Sequence, residues 1–276
     1  TAEADAITET AREWLNTGSH EIHVLPFGDY ESVETDADRS ALPVVANTPE
    51  LVWPAVETGE LSNGVDLVFV RRDAVPVVEM RMVFDAGYAA DSAAGGQLGL
   101  ADFTMNMLDE GAGGMDALEI AAEAESLGAN LSTGADLDMS TVSLSALRSN
   151  LRDSVELMAT VITDPDFRDE DIERVRSMTL NGIQQEMANP IAIALRMLPP
   201  EMYGEGHAYS VPFTGSGTPE SVTGFTRDDL LAHQAAWLRP DNATLFIVGD
   251  TSLEEITPIL ERAFRGWRAP SAPLPQ

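Results

Sequence analysis

Two polar side chains four residues apart, Asp102 and Asn106, are the first candidates for chemistry in this chain. The stretch 99–110 that carries them predicts a helix, because its large apolar residues recur with helical spacing. Those apolar residues are Leu100, Phe103, Met107 and Leu108. At this spacing Asp102 and Asn106 lie on the same side of the helix, one turn apart. A carboxylate and an amide oxygen suit a hard cation, but a zinc hydrolase needs three protein ligands and a base.

The residues on either side of Asp102 and Asn106 resemble a known sequence motif. Gly-Leu-Ala stands before Asp102, and Met-Leu, an acid and Gly111 follow Asn106. This frame resembles the zinc-site helix of the insulinase/pitrilysin metallopeptidases, which reads Gly-Leu-Ala-His-x-x-Glu-His-Met-Leu-x-x-Gly. The resemblance implies that Asp102 and Asn106 stand where that family has its two zinc-binding histidines. It also implies that Met105 stands where the family has the glutamate that polarises the attacking water.

The third zinc ligand of the family is a glutamate on a later helix, predicted here over residues 169–187. The resemblance places Gly182 at that position, 76 residues after Asn106, and glycine has no side chain to bind a metal. An alignment shifted by a few residues would instead bring Glu186 forward. The resemblance therefore implies vestigial site positions and no catalytic, cofactor-binding or metal-binding residue in this chain. Zinc is expected only in a partner or in an upstream catalytic module.

Further matches to the family follow in the same order along the chain. They include Leu-Gly-Ala at 127–129, Pro-x-Phe at 165–167, Gly-Thr-Pro-Glu-Ser at 217–221 and Arg-Pro-x-Asn at 239–242. The resemblance implies an α+β fold of the LuxS/mitochondrial-processing-peptidase-like metallohydrolase type. This fold is a mixed sheet with helices mainly on one face.

Periodicity predicts the elements that position these residues. Residues 77–84 alternate between apolar Val78, Met80, Met82 and Phe84 and charged Glu79 and Arg81, as in a half-buried strand. Other strands are predicted at 21–27, 65–70, 130–136, 139–144 and 243–248. Further helices are predicted at 3–15, 115–127, 148–161, 190–202, 226–237 and 252–267.

Residues 1–27 are interpreted as the helix–strand tail of a preceding module, and residues 28–57 as an acidic linker. Residues 58–268 form an inactive insulinase-type domain, and residues 269–276 a Pro-rich linker. In tandem members of the family, an acidic connector is followed by a half that opens with Leu-Ser-Asn-Gly, as at 61–64 here. The chain thus resembles a piece of a longer protein. Whether this piece occurs naturally or was cut from its parent stays open.

The composition of the chain limits the classes of partner that it is expected to bind. A net charge of −30 over 276 residues disfavours direct contact with nucleic acid or an anionic membrane. All 16 cations are arginine, which indicates genomic base composition or, as the alternative, a salt-adapted surface. The chain has no run of about 18 apolar residues, so no membrane span is predicted. The absence of cysteine excludes thiolate nucleophiles and cysteine zinc sites. By analogy with bacterial relatives the expected compartment is the periplasm, with the cytoplasm as the alternative.

The four histidines do not form a metal site in the sequence pattern. His20 and His23 are three residues apart on a predicted strand, so they point to opposite faces, and we interpret them as surface or interface residues. His207, in a Tyr-x-x-x-His-x-Tyr segment similar to the family's, predicts a packing role. His233, on an amphipathic helix, predicts a solvated or hydrogen-bonded side chain.

The resemblance thus implies a non-catalytic module that forms part of a peptide-binding chamber and pairs with a catalytic insulinase-type module. Two alternatives remain open. The chain is a structural or assembly module without peptide binding, or it is a fragment of a protease that is active through an upstream zinc site. The peptide sequence that is bound, the oligomeric state and the activity of any parent protein are not indicated by the residues.

Overall fold

The structure is a computed structural model that describes residues 4–15, 18–19, 21–23, 50, 52–92, 97–204 and 206–275. The chain divides into two units, Thr1–Leu51 and Val52–Gln276. No helix within the described residues is long and apolar enough to cross a membrane.

In the described residues of the first unit the chain forms the helix α1 (Ala4–Leu15). None of its residues is buried, and the apolar Ile7 and Leu15 are largely exposed. The strand predicted at 21–27 is not formed over Glu21–His23, and its residues 24–27 lie outside the described residues. The predicted linker likewise lies outside them over 28–49 and at residue 51.

The second unit is built on a six-stranded sheet with the strand order β1-β2-β8-β3-β7-β6. Its strands are β1 (Glu57–Glu60), β2 (Asp66–Arg71), β3 (Val77–Phe84), β6 (Asn130–Ala135), β7 (Ser140–Leu147) and β8 (Ala243–Gly249). A separate two-stranded sheet consists of β4 (Gly111–Ala112) and β5 (Met115–Asp116). In the large sheet β2 and β8 run parallel and the other neighbours run antiparallel, so the sheet is mixed as predicted.

Helices connect and cover these strands. They are α2 (Leu100–Met107), α3 (Ala117–Leu127), α4 (Leu151–Thr163), α5 (Asp169–Glu186), α6 (Pro190–Tyr203), α7 (Pro219–Gly224), α8 (Arg227–Trp237) and α9 (Leu253–Ala263). The predicted helix at 252–267 ends earlier, at Ala263, because the chain turns between Phe264 and Trp267 with a hydrogen bond from the Trp267 N–H to the Phe264 carbonyl. The short α7 was not predicted, although Thr218 and Ser221 form a capping box at its start.

One face of the sheet carries the core. Val78, Met80, Met82 and Phe84 of β3 are buried, while Glu79 and Arg81 between them are exposed, which confirms the alternation predicted from the sequence. Burying one such side chain stabilises the fold by about 1.5–3 kcal/mol. β7 and β8 show the same alternation of buried and less buried positions. The α+β architecture with helices mainly on one face of a mixed sheet is therefore confirmed.

The helix that carries Asp102 lies at the centre of this packing. Helix α2 contacts β6 and β7 of the sheet and the helices α5 and α8. Its apolar side is fully buried, with Phe103 and Met107 each at about 1% exposure. The opposite side, with Asp102 and Asn106, is left facing α5 and the edge of β6 across a cavity.

Candidate functional site

A buried carboxylate fixes where α2 begins. Asp91 is fully buried, and its two oxygens accept hydrogen bonds from the backbone N–H groups of Gly99 (2.6 Å) and Ala101 (2.9 Å). These N–H groups belong to the first turn of α2, where they have no partner within the helix. Burial raises the pKa of Asp91 to about 7, and the two backbone hydrogen bonds act in the opposite direction.

Two glycines bring a distant loop against the same end of the helix. Gly99 has a φ of 89°, and a side chain there would approach the Cα of Gly217 to 2.7 Å. Gly217 also has positive φ, and its own Cβ would lie 2.1 Å from the Leu98 carbonyl oxygen. Only glycine permits both the left-handed backbone and this close approach. The loop that contains Gly217 is thereby held beside the cavity.

The cavity next to α2 has a volume of about 580 Å³. It collects the positions that the sequence singled out, since Asp102 and Asn106 of α2 and Gly182 and Glu186 of α5 all line it. Other polar lining residues are Asp109, Glu110, Ser132, Thr133, Thr179, Thr214 and Ser216. Met105 does not line the cavity; it is fully buried in the hydrophobic core.

Several polar side chains that line the cavity are already bonded to other side chains. The Asn106 amide donates to an Asp102 carboxylate oxygen at 3.0 Å. Burial raises the pKa of Asp102 to about 6, the Asn106 hydrogen bond lowers it, and the negative charge of Glu186 raises it. The Glu110 carboxylate is bound by the Arg174 guanidinium.

Arg196 of α6 binds the carboxylate of Glu186. Its guanidinium, with only 9% of the side chain exposed, lies 2.6 Å from a Glu186 carboxylate oxygen. It also donates to the Ser216 hydroxyl at 2.7 Å, to the Thr214 hydroxyl at 3.2 Å and to the Gly217 carbonyl. The carboxylate of Glu186 is thus neutralised by a protein cation and further bound by the Ser216 hydroxyl at 2.9 Å.

This donor set does not fit a catalytic zinc ion. Zinc sites of hydrolases use histidine nitrogens and a carboxylate, with one position left for water. Here the side of the cavity formed by α2 offers one carboxylate and one amide, and α5 offers a glycine and a carboxylate bound to Arg196. Among the described residues, no three His, Asp or Glu side chains are grouped so that they could hold a metal ion.

Gly182 gives a direct stability prediction. It lies inside α5, and a Cβ added to it meets no atom within 4 Å. Replacing Gly182 with alanine is expected to raise the free energy of unfolding by about 0.5–1 kcal/mol, because glycine is a poor helix former. Urea denaturation of the two proteins measures this. Gly113→Ala is the control and should destabilise, because Gly113 has a φ of 60° and its Cβ would lie 2.6 Å from a Thr160 methyl carbon. A loss of stability in Gly182→Ala would show that the helix needs the glycine.

Neither His207 nor His233 lines the cavity. His20 lies outside the described residues, and His23 is an exposed side chain 3.2 Å from Glu21. His207 stacks on the Tyr203 ring with a centroid distance of 5.0 Å, and its Nδ1 accepts a hydrogen bond from the Tyr209 N–H, in keeping with the packing role predicted for it.

The prediction for His233 was wrong. This side chain is 4% exposed, and neither ring nitrogen has a hydrogen-bond partner. The helical periodicity of α8 places it on the packed side, so burial, and not a polar contact, determines its state. Burial lowers the pKa of His233 to about 4.

His233 should make stability depend on pH. Its pKa in the folded state lies below the unfolded value of 6.5, so the unfolded chain binds the proton more tightly between pH 6.5 and 4. Lowering the pH from 7.5 to 5 should therefore lower the free energy of unfolding of the wild type. The loss should be about 2 kcal/mol larger than in His233→Leu, which has no imidazole to protonate. Urea unfolding of both proteins at both pH values measures the difference. Equal losses would show that His233 is hydrated or hydrogen-bonded.

Asp91, Arg196 and Ser216 shape the site and were missed in the sequence. Asp91 lies in a loop rich in small residues, where an aspartate ordinarily indicates solvent exposure. Arg196 did leave a signal, since it is the one cation of a helix whose only other charged residue is Glu201. Ser216 lies in a Gly-Ser-Gly turn that indicates a loop and no particular contact.

Comparisons with known proteins identify the family of this chain. The family model described as insulinase (peptidase family M16) matches residues 67–211, and the model described as peptidase M16 inactive domain matches residues 224–276. The chain is 25% identical over 235 residues to a probable mitochondrial-processing peptidase subunit beta of Schizosaccharomyces pombe, an alignment that covers 82% of this chain and 50% of that protein. It is 22% identical over 205 residues to an uncharacterized zinc protease of Rickettsia bellii, covering 74% of this chain and 48% of that one.

Solved structures show the same fold. The crystal structure of a peptidase M16 inactive domain from Pseudomonas fluorescens superposes with a TM-score of 0.73 and 29% identity, over 79% of this chain and 52% of that one. The periplasmic protease PqqL of Escherichia coli superposes with a TM-score of 0.69 over 80% of this chain and 25% of that one. At 16% identity the PqqL match shows the fold alone. The chain spans about half the length of the curated relatives that it matches.

Proposed function

Because the chain belongs to the insulinase family, peptidase family M16, we propose that it is a non-catalytic module of a zinc metallopeptidase. It forms part of the peptide-binding chamber and pairs with a catalytic module of the same family. The catalytic module is either a separate subunit or another part of the same parent protein.

The observation that carries this proposal is a cavity beside α2 whose lining side chains do not form a set of zinc ligands with a general base. The cavity lies on the helix that carries the zinc site in catalytic members, but Asp102 and Asn106 are bonded to each other there. Met105 is buried in the core and offers no base. Glu186 is bound to Arg196 and offers no free ligand. In this proposal zinc and the hydrolytic step belong to the partner module.

The edge of the sheet suits an extended peptide. β6 is the last strand of the sheet in the described part of the chain, and its Leu131, Ser132 and Thr133 line the cavity. An edge strand presents unpaired backbone N–H and C=O groups, to which a peptide can add as a further strand. A peptide bound in this way would run past Asp102 and Asp109.

The charges at the cavity favour a basic peptide as the ligand. Glu110 and Glu186 are each paired with an arginine, whereas Asp102 and Asp109 line the cavity with no ion pair among the described residues. The whole chain carries a net charge of −30. A basic peptide is therefore the favoured ligand, and salt should weaken its binding because it screens exposed charges.

Peptide binding tests the chamber role. Fluorescence anisotropy of a labelled extended peptide rich in arginine is measured against the purified chain at low and high salt. We expect saturable binding that weakens with salt and with Asp102→Asn, and no change with Asp66→Asn, an exposed aspartate on β2. Binding unaffected by Asp102→Asn would place the peptide elsewhere. No binding at all would favour the structural or assembly alternative.

Pairing is tested by complementation. The chain is added to a purified catalytic insulinase-family module from the same organism, and cleavage of a peptide is followed over time. We expect no cleavage by the chain alone and faster cleavage by the mixture than by the catalytic module alone. An unchanged rate would contradict the shared chamber.

We also place the module in the periplasm, with the cytoplasm as the alternative. The support is the periplasmic protease PqqL among the proteins of the same fold. Fractionation of cells that express the full-length parent gene tests the compartment.

A further inference from the structure

Another cavity lies where α9 ends. It has a volume of about 370 Å³ and is here called the α9 cavity. Its lining comes from the turn between β1 and β2 and from the end of α9 with the segment that follows: Ser62, Asn63, Pro258, Glu261, Arg262, Phe264, Arg265 and Arg268. It shares no lining residue with the cavity beside α2. This volume is at the lower end of the range for ligand sites and suits a small molecule.

The two walls of the α9 cavity are joined by hydrogen bonds. The Glu261 carboxylate accepts from the backbone N–H and from the hydroxyl group of Ser62, each at 2.6 Å. The Asn63 side-chain amide donates to the Trp267 carbonyl at 3.3 Å. These bonds connect the turn between β1 and β2 to the end of α9. The shape of the cavity is therefore set by the fold.

The backbone that carries two of the arginines is anchored in the core. Phe264 is buried, and its ring packs against Trp267 with a centroid distance of 5.4 Å. Trp267 also contacts Phe84 of β3 edge-on, with a centroid distance of 6.1 Å. Arg265 and Arg268 are the direct neighbours of these anchored residues. Because their backbone is already fixed, less conformational entropy is lost when they bind a ligand.

The balance of charge at the α9 cavity is the reverse of that in the whole chain. The chain has 46 acidic residues and 16 arginines, whereas the cavity lining has three arginines and one acidic residue. Arg262 pairs with Glu156 at 3.4 Å. Arg265 and Arg268 are exposed and have no carboxylate partner among the described residues. Even with Glu156 counted, three guanidinium groups stand against two carboxylates.

The end of a helix explains only part of this cluster. A cation in the last turn of a helix interacts favourably with the helix dipole, and Arg262 lies in the last turn of α9. The helix ends at Ala263, so Arg265 and Arg268 lie beyond it. The dipole effect falls off within one turn, so it does not account for Arg268.

The free hydrogen-bonding groups of the α9 cavity define its ligand. A guanidinium group has five N–H donors and no acceptor, and it binds a phosphate or a carboxylate through two parallel hydrogen bonds. Glu261 is the one carboxylate of the lining, and it is already bonded to Ser62. The cavity therefore offers donors and positive charge, and its ligand must supply acceptors and negative charge. Two arginines without a partner match two oxyanion groups.

We propose that the α9 cavity binds a small compound with two oxyanion groups, either phosphates or carboxylates. Arg265 and Arg268 bind these groups, and Arg262 adds positive charge. The site is separate from the peptide site under the proposed function and does not depend on it. The net charge of −30 on the whole chain opposes the approach of any anion, so we expect a modest affinity, with a Kd of about 1 mM.

Isothermal titration calorimetry of the full chain with pyrophosphate and with succinate tests the site, with NaCl keeping the ionic strength constant. Arg265→Gln/Arg268→Gln removes both unpaired guanidinium groups at exposed positions. Arg72→Gln/Arg81→Gln is the matched control, because it removes the same two charges from exposed arginines that do not line the cavity. Circular dichroism checks that both variants fold. Chemical shifts of the backbone amides locate the bound anion.

We expect saturable binding of at least one of the two anions, about tenfold or more weaker in Arg265→Gln/Arg268→Gln and unchanged in the control. The shift changes should cluster at residues 62–64 and 262–268. The anion with the higher affinity identifies phosphate or carboxylate as the group that the site prefers.

Equal affinity in Arg265→Gln/Arg268→Gln would overturn the proposal, and so would titrations that do not saturate with either anion. A third titration uses a peptide rich in glutamate. If this peptide binds through the same arginines while neither small anion does, the surface belongs to an acidic protein segment and the proposed small-molecule site is wrong.

Discussion

Replacing Arg196 with methionine is expected to lower the free energy of unfolding by about 3 kcal/mol. The guanidinium is almost fully buried and binds the Glu186 carboxylate, two hydroxyl groups and the Gly217 carbonyl. Methionine keeps much of the volume but leaves a partly buried carboxylate and a carbonyl without their donor. Removing one partner of such a pair costs more than the pair contributes, because the other charge stays behind unpaired. Urea denaturation with far-UV circular dichroism measures the loss.

Two controls separate the ion pair from general damage. Arg148→Met removes an exposed arginine that is paired with Asp250, and it should cost much less. In a Glu186→Gln background, Arg196→Met should cost less than in the wild type by about 1–2 kcal/mol, because the charge that it would strand is already gone. If the costs are equal in both backgrounds, Arg196 acts through packing and not through Glu186.

The second large effect is expected at Asp91. Asp91→Asn is expected to lower the free energy of unfolding by about 2–4 kcal/mol. Both carboxylate oxygens accept backbone N–H groups at the start of α2. An asparagine has one oxygen, so its NH₂ group would face a backbone N–H, and a buried donor would lose its acceptor. Above the Asp91 pKa of about 7, the negative charge that favours a helix N-terminus would also be lost.

Asp102→Asn is the matched control for Asp91→Asn. It makes the same chemical change within α2, but Asp102 lines the cavity and accepts from the Asn106 side chain, which the remaining oxygen of an asparagine can also do, so no buried backbone N–H loses its acceptor. Hydrogen exchange of the amides of Gly99 and Ala101 gives a local readout, which should rise in Asp91→Asn alone. A change of less than about 0.5 kcal/mol in Asp91→Asn would contradict the role assigned to this carboxylate.

The parts of the fold that follow a period were predictable from the sequence. The alternation in β3 and the apolar side of α2 follow from the spacing of side chains alone, and the structure places both as expected. β1 was not predicted, because its four residues are all exposed and show no alternation. It is a strand only because it pairs with β2.

The sequence was enough to predict where the site lies, but it did not predict which side chains contact each other there. The frame around Asp102 and the spacing to Gly182 indicated which side chains would share a cavity. The partners of Glu186 and the role of Asp91 depend on groups brought together by the tertiary fold. His233 shows the same limit, since its helix position suggested a polar contact and the packing left it without one.

The exposed side of α6 shows a different limit of sequence patterns. A run of large apolar residues at helical spacing predicts a buried face, and in this chain that face is exposed. The pattern encodes burial without saying whether the covering surface lies in the same molecule.

The measurement that tests the account most directly is the zinc content of the purified chain. The protein is dialysed against trace zinc and then against metal-free buffer, and zinc per chain is determined by elemental mass spectrometry. A catalytic insulinase-family module treated in the same way is the positive control. The account predicts a value near zero, because Asp102 and Asn106 are bonded to each other and Glu186 is bound to Arg196. A value near one zinc per chain, lost in Asp102→Asn or Glu186→Gln, would contradict it and make this chain a candidate catalytic module.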